Sequence, residues 1–119
     1  MADFVNLKVE TLRRLDHHGY TVDDIAWVGS TEFEIPVDRF FELADQEYDS
    51  GFGSAKVCHD LIICMKDGSW FERGEYDGSE WWEYQGPMRR PSVFIAEPKT
   101  VFVKDFWKVF LGECNLEED

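Results

Sequence analysis

The chain has 119 residues, 44% hydrophobic and 16% aromatic, with 12 lysines and arginines against 25 aspartates and glutamates. The formal charge of -13 repels nucleic acid and anionic membranes and speeds encounter with basic surfaces, besides favouring dispersal in water. No apolar run is long enough to span a bilayer and MADFVNLKVE does not read as a secretory signal, so one cytoplasmic domain is expected, burying ~65% of its unfolded surface.

In chain order, Asp3 is placed to cap a helix from Phe4 to His18 that Gly19 stops. Phe4, Val5, Val9, Leu12 and Leu15 fall within one arc at helical spacing and form its expected buried face. His17 and His18 occupy its last turn, where imidazoles suit the helix dipole and where adjacent side chains diverge too far to share a metal. Thr21-Val22-Asp23-Asp24 reads as a helix start with Asp24 in the capping-box position, cut short by Gly29 and Ser30. Phe33-Glu34-Ile35 reads as a short strand or an extended lead into the next element. Pro36 opens a second helix running to Tyr48, with Val37, Phe40, Phe41, Ala44 and Tyr48 as its apolar stripe. The connector from Tyr48 to Ser54 holds Gly51 and Gly53 but lacks the lysine and the preceding strand of a phosphate-binding loop.

From Val57 to Tyr84, an apolar run, a mixed run and an aromatic run are separated by Asp67-Gly68-Ser69 and Asp77-Gly78-Ser79. Asp-Gly between β-favouring runs is a strong hairpin signal, so a three-stranded meander is predicted over 57–66, 70–76 and 80–84. A two-residue second loop sets Glu75 opposite Glu80 and Glu72 opposite Glu83, and opposed like charges destabilise a sheet. A three-residue loop sets Arg73 opposite Glu83 instead and is the expected register. Cys58 and Cys64 stand roughly 20 Å apart on the first of these strands, too far for a disulfide; with Cys114 they are expected to be reduced and buried.

After Tyr84, a loop bounded by Pro87 and Pro91 carries Arg89 and Arg90, expected to be solvated or paired with acids. Ser92 to Ala96 can add a fourth strand. Lys99 to Leu111 supports either strand, through Val101 and Val103, or helix, through Val103, Phe106, Trp107 and Phe110; helix is expected, ended by Gly112 and followed by a frayed acidic tail over 113–119. The fold class is therefore α+β, a three- or four-stranded antiparallel meander with helices packed on one face.

Little of this points to catalysis. Cys58, His59 and Asp60 alternate between the faces of a strand, which separates a nucleophile from a base. Paired carboxylates among Glu72, Glu75, Glu80 and Glu83 arise readily in so acidic a chain. Asp45, Glu47 and Asp49 with the connector carbonyls are candidate ligands for a hard cation, but their spacing matches no EF-hand loop. Direct nucleic-acid binding on Trp70, Trp81 and Trp82 conflicts with the carboxylates on the same strands. Those carboxylates, spaced 6–7 Å at alternate positions, instead imitate the charge period of a phosphate backbone.

Three segments together, Glu47-Tyr48-Asp49-Ser50-Gly51-Phe52-Gly53-Ser54, Asp67-Gly68-Ser69-Trp70-Phe71-Glu72-Arg73 and Glu75-Tyr76-Asp77-Gly78-Ser79-Glu80-Trp81-Trp82-Glu83-Tyr84, resemble a family of small bacteriophage and prophage proteins. The likeness covers Pro36 to Gly86. It implies a viral protein acting in the bacterial cytoplasm, and small acidic phage proteins are often inhibitors of host defence, anti-CRISPR proteins and DNA mimics among them. The expected function is to block a basic, nucleic-acid-handling host protein such as a CRISPR effector through Glu72, Glu75, Glu80 and Glu83, with Trp81 or Trp82 as the buried anchor. No cofactor, enzyme activity, direct nucleic acid or membrane is expected. The alternatives are a metal- or ligand-binding phage accessory protein or enzyme centred on Asp45, Asp49 and the glycine connector, and a structural component of a phage particle; exposed aromatics equally leave a homodimer open.

Overall fold

The computed structural model describes residues 4–51, 53–86 and 90–116. Its local architecture follows from two tight turns. Met65 and Ser69 close the first around Gly68, at φ 93°, with Asp67 accepting the Ser69 N–H at 2.9 Å. In the second, Asp77 and Gly78 both take positive φ, 51° and 87°, the requirement of a two-residue type I′ turn. These turns join β5 (Ile62–Met65), β6 (Trp70–Tyr76) and β7 (Ser79–Gln85) into a meander whose first strand is shorter than the expected 57–66, because the chain turns at 59–60 with the Leu61 N–H on Cys58 O.

The register is the two-residue one, with Glu75 opposite Glu80 and Glu72 opposite Glu83, so the expectation of a three-residue loop is corrected. The turn geometry dominates because the carboxylates find donors elsewhere: Glu80 turns to Arg73, while Glu72 and Glu83 accept from indole N–H groups.

The meander is half of a larger sheet. β2 (Ile25–Gly29) pairs antiparallel with β5, β3 (Phe33–Ile35) returns beside β2, and β8 (Val93–Phe94) lies parallel to β3 at the far edge. The strand order is β7-β6-β5-β2-β3-β8. Sequence reading missed β2 because Thr21 to Asp24 signals a helix; only a 3-10 turn forms at Val22–Asp24, with the Asp24 carboxylate accepting from the Thr21 N–H, before the β-favouring run extends.

The first helix is shorter than expected. Phe4–Asn6 is a strand, β1, paired antiparallel with β4 (Glu47–Asp49), and the cap of α1 (Leu7–His17) is Asn6, whose Oδ1 accepts the Val9 N–H at 3.1 Å. The buried stripe is accordingly Leu7, Thr11 and Leu15, with Phe4, Val9 and Leu12 exposed. Gly19 ends the helix at φ 81°, as read from the sequence. Pro36 precedes α2 (Val37–Ala44), which stops short of Tyr48 because β1 captures residues 47–49 in a sheet.

The C-terminal expectation fails most fully. Residues 101–103 run extended against 56–58, held by Cys58 N–H to Val101 O and Val103 N–H to Lys56 O. Phe106 and Trp107 cap an exposed turn closed by Asp105 and Lys108. Helix α3 (Leu111–Asn115) begins where a helix was expected to end, includes Gly112, and buries Cys114 and Asn115. It is not frayed; residues 117–119 of the expected tail lie outside the described residues, as does Arg89. Arg90 grips both Glu34 carboxylate oxygens at 2.8 Å.

One face of the sheet carries the main core: Val28, Phe33, Ile63, Met65, Phe71 and Trp82 meet Leu7 and Leu15 of α1 and Phe40, Phe41 and Ala44 of α2. The opposite face holds a smaller cluster of Trp27, Ile62 and Cys64 with Ala26 and Trp70. The protein is thus α+β with a sheet of six strands and a second of two among the described residues.

Candidate functional site: the two faces of the terminal hairpin

Strand parity divides the aromatic and acidic residues of β6 and β7 between the two faces. Phe71, Arg73, Glu80, Trp82 and Tyr84 turn toward α1; Trp70, Glu72, Trp81 and Glu83 turn away. The adjacent tryptophans therefore do different work.

On the inner side, the Arg73 side chain is only 3% exposed. Its guanidinium donates to Glu80 Oε1 at 3.1 Å, to Tyr48 Oη at 3.0 Å and to Glu10 Oε2 at 3.4 Å, and lies 4.7 Å from the Trp82 ring centroid. Glu80, 2% exposed at its side chain, also accepts the N–H groups of Lys56 and Val57 at 2.6 and 3.2 Å. Tyr48 donates to the second oxygen of Glu10, and its phenol is pushed up by burial and the Glu10 carboxylate. Trp82 donates to Thr11 Oγ1 at 2.9 Å and is buried. Such a network offsets much of the cost of charge in the interior, although Arg73 Nε has no hydrogen-bond partner among the described residues.

Glu80 and Trp82 are consequently interior residues, and the expectation that they contact a partner is corrected. Parity put Trp82 and Glu80 on one face but did not say which, and Trp82 pairs with Arg73 only in the two-residue register. Glu10 and Tyr48 are distant in sequence and offered no signal.

On the outer side, Trp70 Nε1 donates to Glu72 Oε1 at 3.0 Å and Trp81 Nε1 to Glu83 Oε1 at 3.2 Å. Gly74 leaves the space in which the Trp81 ring lies: a Cβ there would sit 2.6 Å from Trp81 Nε1 and 2.9 Å from the Glu83 carboxyl carbon. Glu72 and Glu83 are direct cross-strand partners, and among the described residues no Lys, Arg or His nitrogen comes within 4.0 Å of either. Glu75 is exposed near the hairpin tip beside exposed Tyr76. The expected single row of carboxylates does not form, because Glu72 and Glu83 occupy one face while Glu75 and Glu80 belong to the other.

The other candidate chemistry does not converge. Asp45 accepts from Asn6 Nδ2 at 3.0 Å and Asp49 from the Gly51 N–H at 3.0 Å. Among the described residues no three His, Cys, Asp or Glu side chains are grouped to hold a metal, so Asp45, Glu47 and Asp49 form no such centre. Cys58 faces Cys114 across 3.7 Å, with its thiol pushed up by burial and then by that neighbour. Asp60, raised by burial, accepts the Leu111 N–H at the start of α3. No helix among the described residues is long and apolar enough to cross a membrane. Comparison with family models, curated proteins and solved structures gives no match to this chain.

Proposed function

We propose that the protein is a binding module that blocks a basic, nucleic-acid-handling protein, and that in the phage setting implied by its sequence motif it acts in the host cytoplasm against a defence protein such as a CRISPR effector. The observation that carries this reading is the Glu72 and Glu83 pair, two like charges directly opposed across the strands with indoles as their only side-chain donors among the described residues. A lysine or arginine from a partner relieves that repulsion, and the half-buried Trp81 beside it offers a ring for cation–π contact. The net charge of -13 steers the encounter. Charge mimicry here rests on one carboxylate pair and the general field.

The test is affinity for a purified CRISPR effector without guide RNA, measured by biolayer interferometry across a salt series. Glu72→Lys with Glu83→Lys should weaken binding by about tenfold or more and flatten its salt dependence. Unchanged affinity in a variant with wild-type thermal stability would overturn the assignment of this face.

A further inference from the structure

A cavity of about 640 Å³ opens between α1, β1 and the β7 edge, where Trp81 and Trp82 both reach its lining. Phe4, Val5, Val9 and Trp81 give it apolar walls, and Arg13, Arg14 and His17 line the same space. Its volume suits a small organic molecule. The charge of the lining is the unexpected part. With 25 carboxylates for 12 lysines and arginines, cations should readily find acidic partners. Yet among the described residues no carboxylate lies within 4.0 Å of Arg13 or Arg14, and Arg14 Nε is buried with no hydrogen-bond partner.

Glu10, the acid nearest in the lining, already serves Arg73 and Tyr48. The helix dipole accounts for cations near the end of α1, but not for an Arg14 Nε buried without a partner beside apolar side chains. The neighbouring His18 imidazole, stacked on Tyr84 at 4.4 Å between centroids, is pushed down mainly by burial, with the Arg14 and His17 charges adding to it.

We infer that this cavity binds an amphipathic organic anion, its carboxylate or similar head group held by Arg13 and Arg14 and its apolar body lying on Phe4, Val5, Val9 and Trp81. Guanidinium to carboxylate is a charge-assisted contact, so the head group provides selectivity while the body supplies buried area. This site shares Trp81 with the partner-binding face but not the Glu72 and Glu83 pair.

The experiment is isothermal titration calorimetry of the full chain with decanoate, below its micellar concentration, against the neutral decanol. Decanoate should bind saturably and about tenfold or more tighter than decanol. Arg13→Gln, at an exposed position, and the double variant with Arg14→Gln should each lower decanoate affinity while leaving decanol affinity unchanged, with thermal unfolding confirming a folded protein. Equal affinity for the two probes, or retention of decanoate binding by folded Arg13→Gln and double variants, overturns the inference. So does absence of saturable decanoate binding, or binding confined to anionic phosphatidylglycerol vesicles, which would make the patch a membrane contact.

Discussion

Replacing Arg73 with methionine tests the interior of the hairpin most directly. The substitution keeps much of the apolar stem but removes the guanidinium that serves Glu80, Glu10 and Tyr48. Glu80 would retain two backbone donors and lose its cation while remaining buried. Breaking a buried pair from one side costs about 3–5 kcal/mol. In a chain of 119 residues this corresponds to a fall in Tm of roughly 10–20 °C. Urea unfolding of R73M, E80Q and the double variant forms a cycle. The double variant should be less destabilised than the sum of the singles by about 1–3 kcal/mol, because each single strands a partner that the double does not. A cost for R73M under about 1 kcal/mol, or additivity within about 0.5 kcal/mol, would refute the reasoning. The same logic warns against reading Glu80→Lys as an interface variant, since it inverts a charge inside the protein.

Gly74→Ala should cost about 1–3 kcal/mol in urea unfolding and displace the Trp81 ring, changing tryptophan emission; a stable variant with unaltered emission would contradict the packing described. Asp77→Val places a β-branched residue at φ 51° and should cost about 1–2 kcal/mol, whereas Asp77→Asn should be nearly neutral; equal effects would refute the type I′ turn. His18 titrates below its ordinary 6.5, first because of burial and then because of Arg14 and His17. Between its folded value and 6.5 the unfolded chain binds more protons, so its contribution is present above 6.5 and is lost as pH falls. His18→Gln should flatten the Tm profile between about pH 5 and 7; an unchanged profile counts against the assignment.

What could be read from the sequence was local and stereochemical. Asp67-Gly68, Asp77-Gly78, Gly19 and Pro36 act through their own backbone preferences, and each marks a boundary in the fold. Where two preferences competed, tertiary pairing decided: β1 takes Tyr48 out of α2, and the strand partner at 56–58 holds 101–103 extended against a helical pattern of aromatics. The candidate site was legible in composition but not in orientation. Consecutive Trp81 and Trp82 are apolar at both parities and so do not declare a face, while Arg73 acquires its meaning only from Glu10 and Tyr48, supplied by α1 and β4.

That convergence on one guanidinium also constrains how this chain could diverge. Glu10, Tyr48, Arg73 and Glu80 come from four separate elements yet share a single charge balance, so drift at one position penalises retention of the rest. Distant kin should keep or lose the quartet together, giving a four-point fingerprint that can persist after the surface acids and the loop lengths have been rewritten.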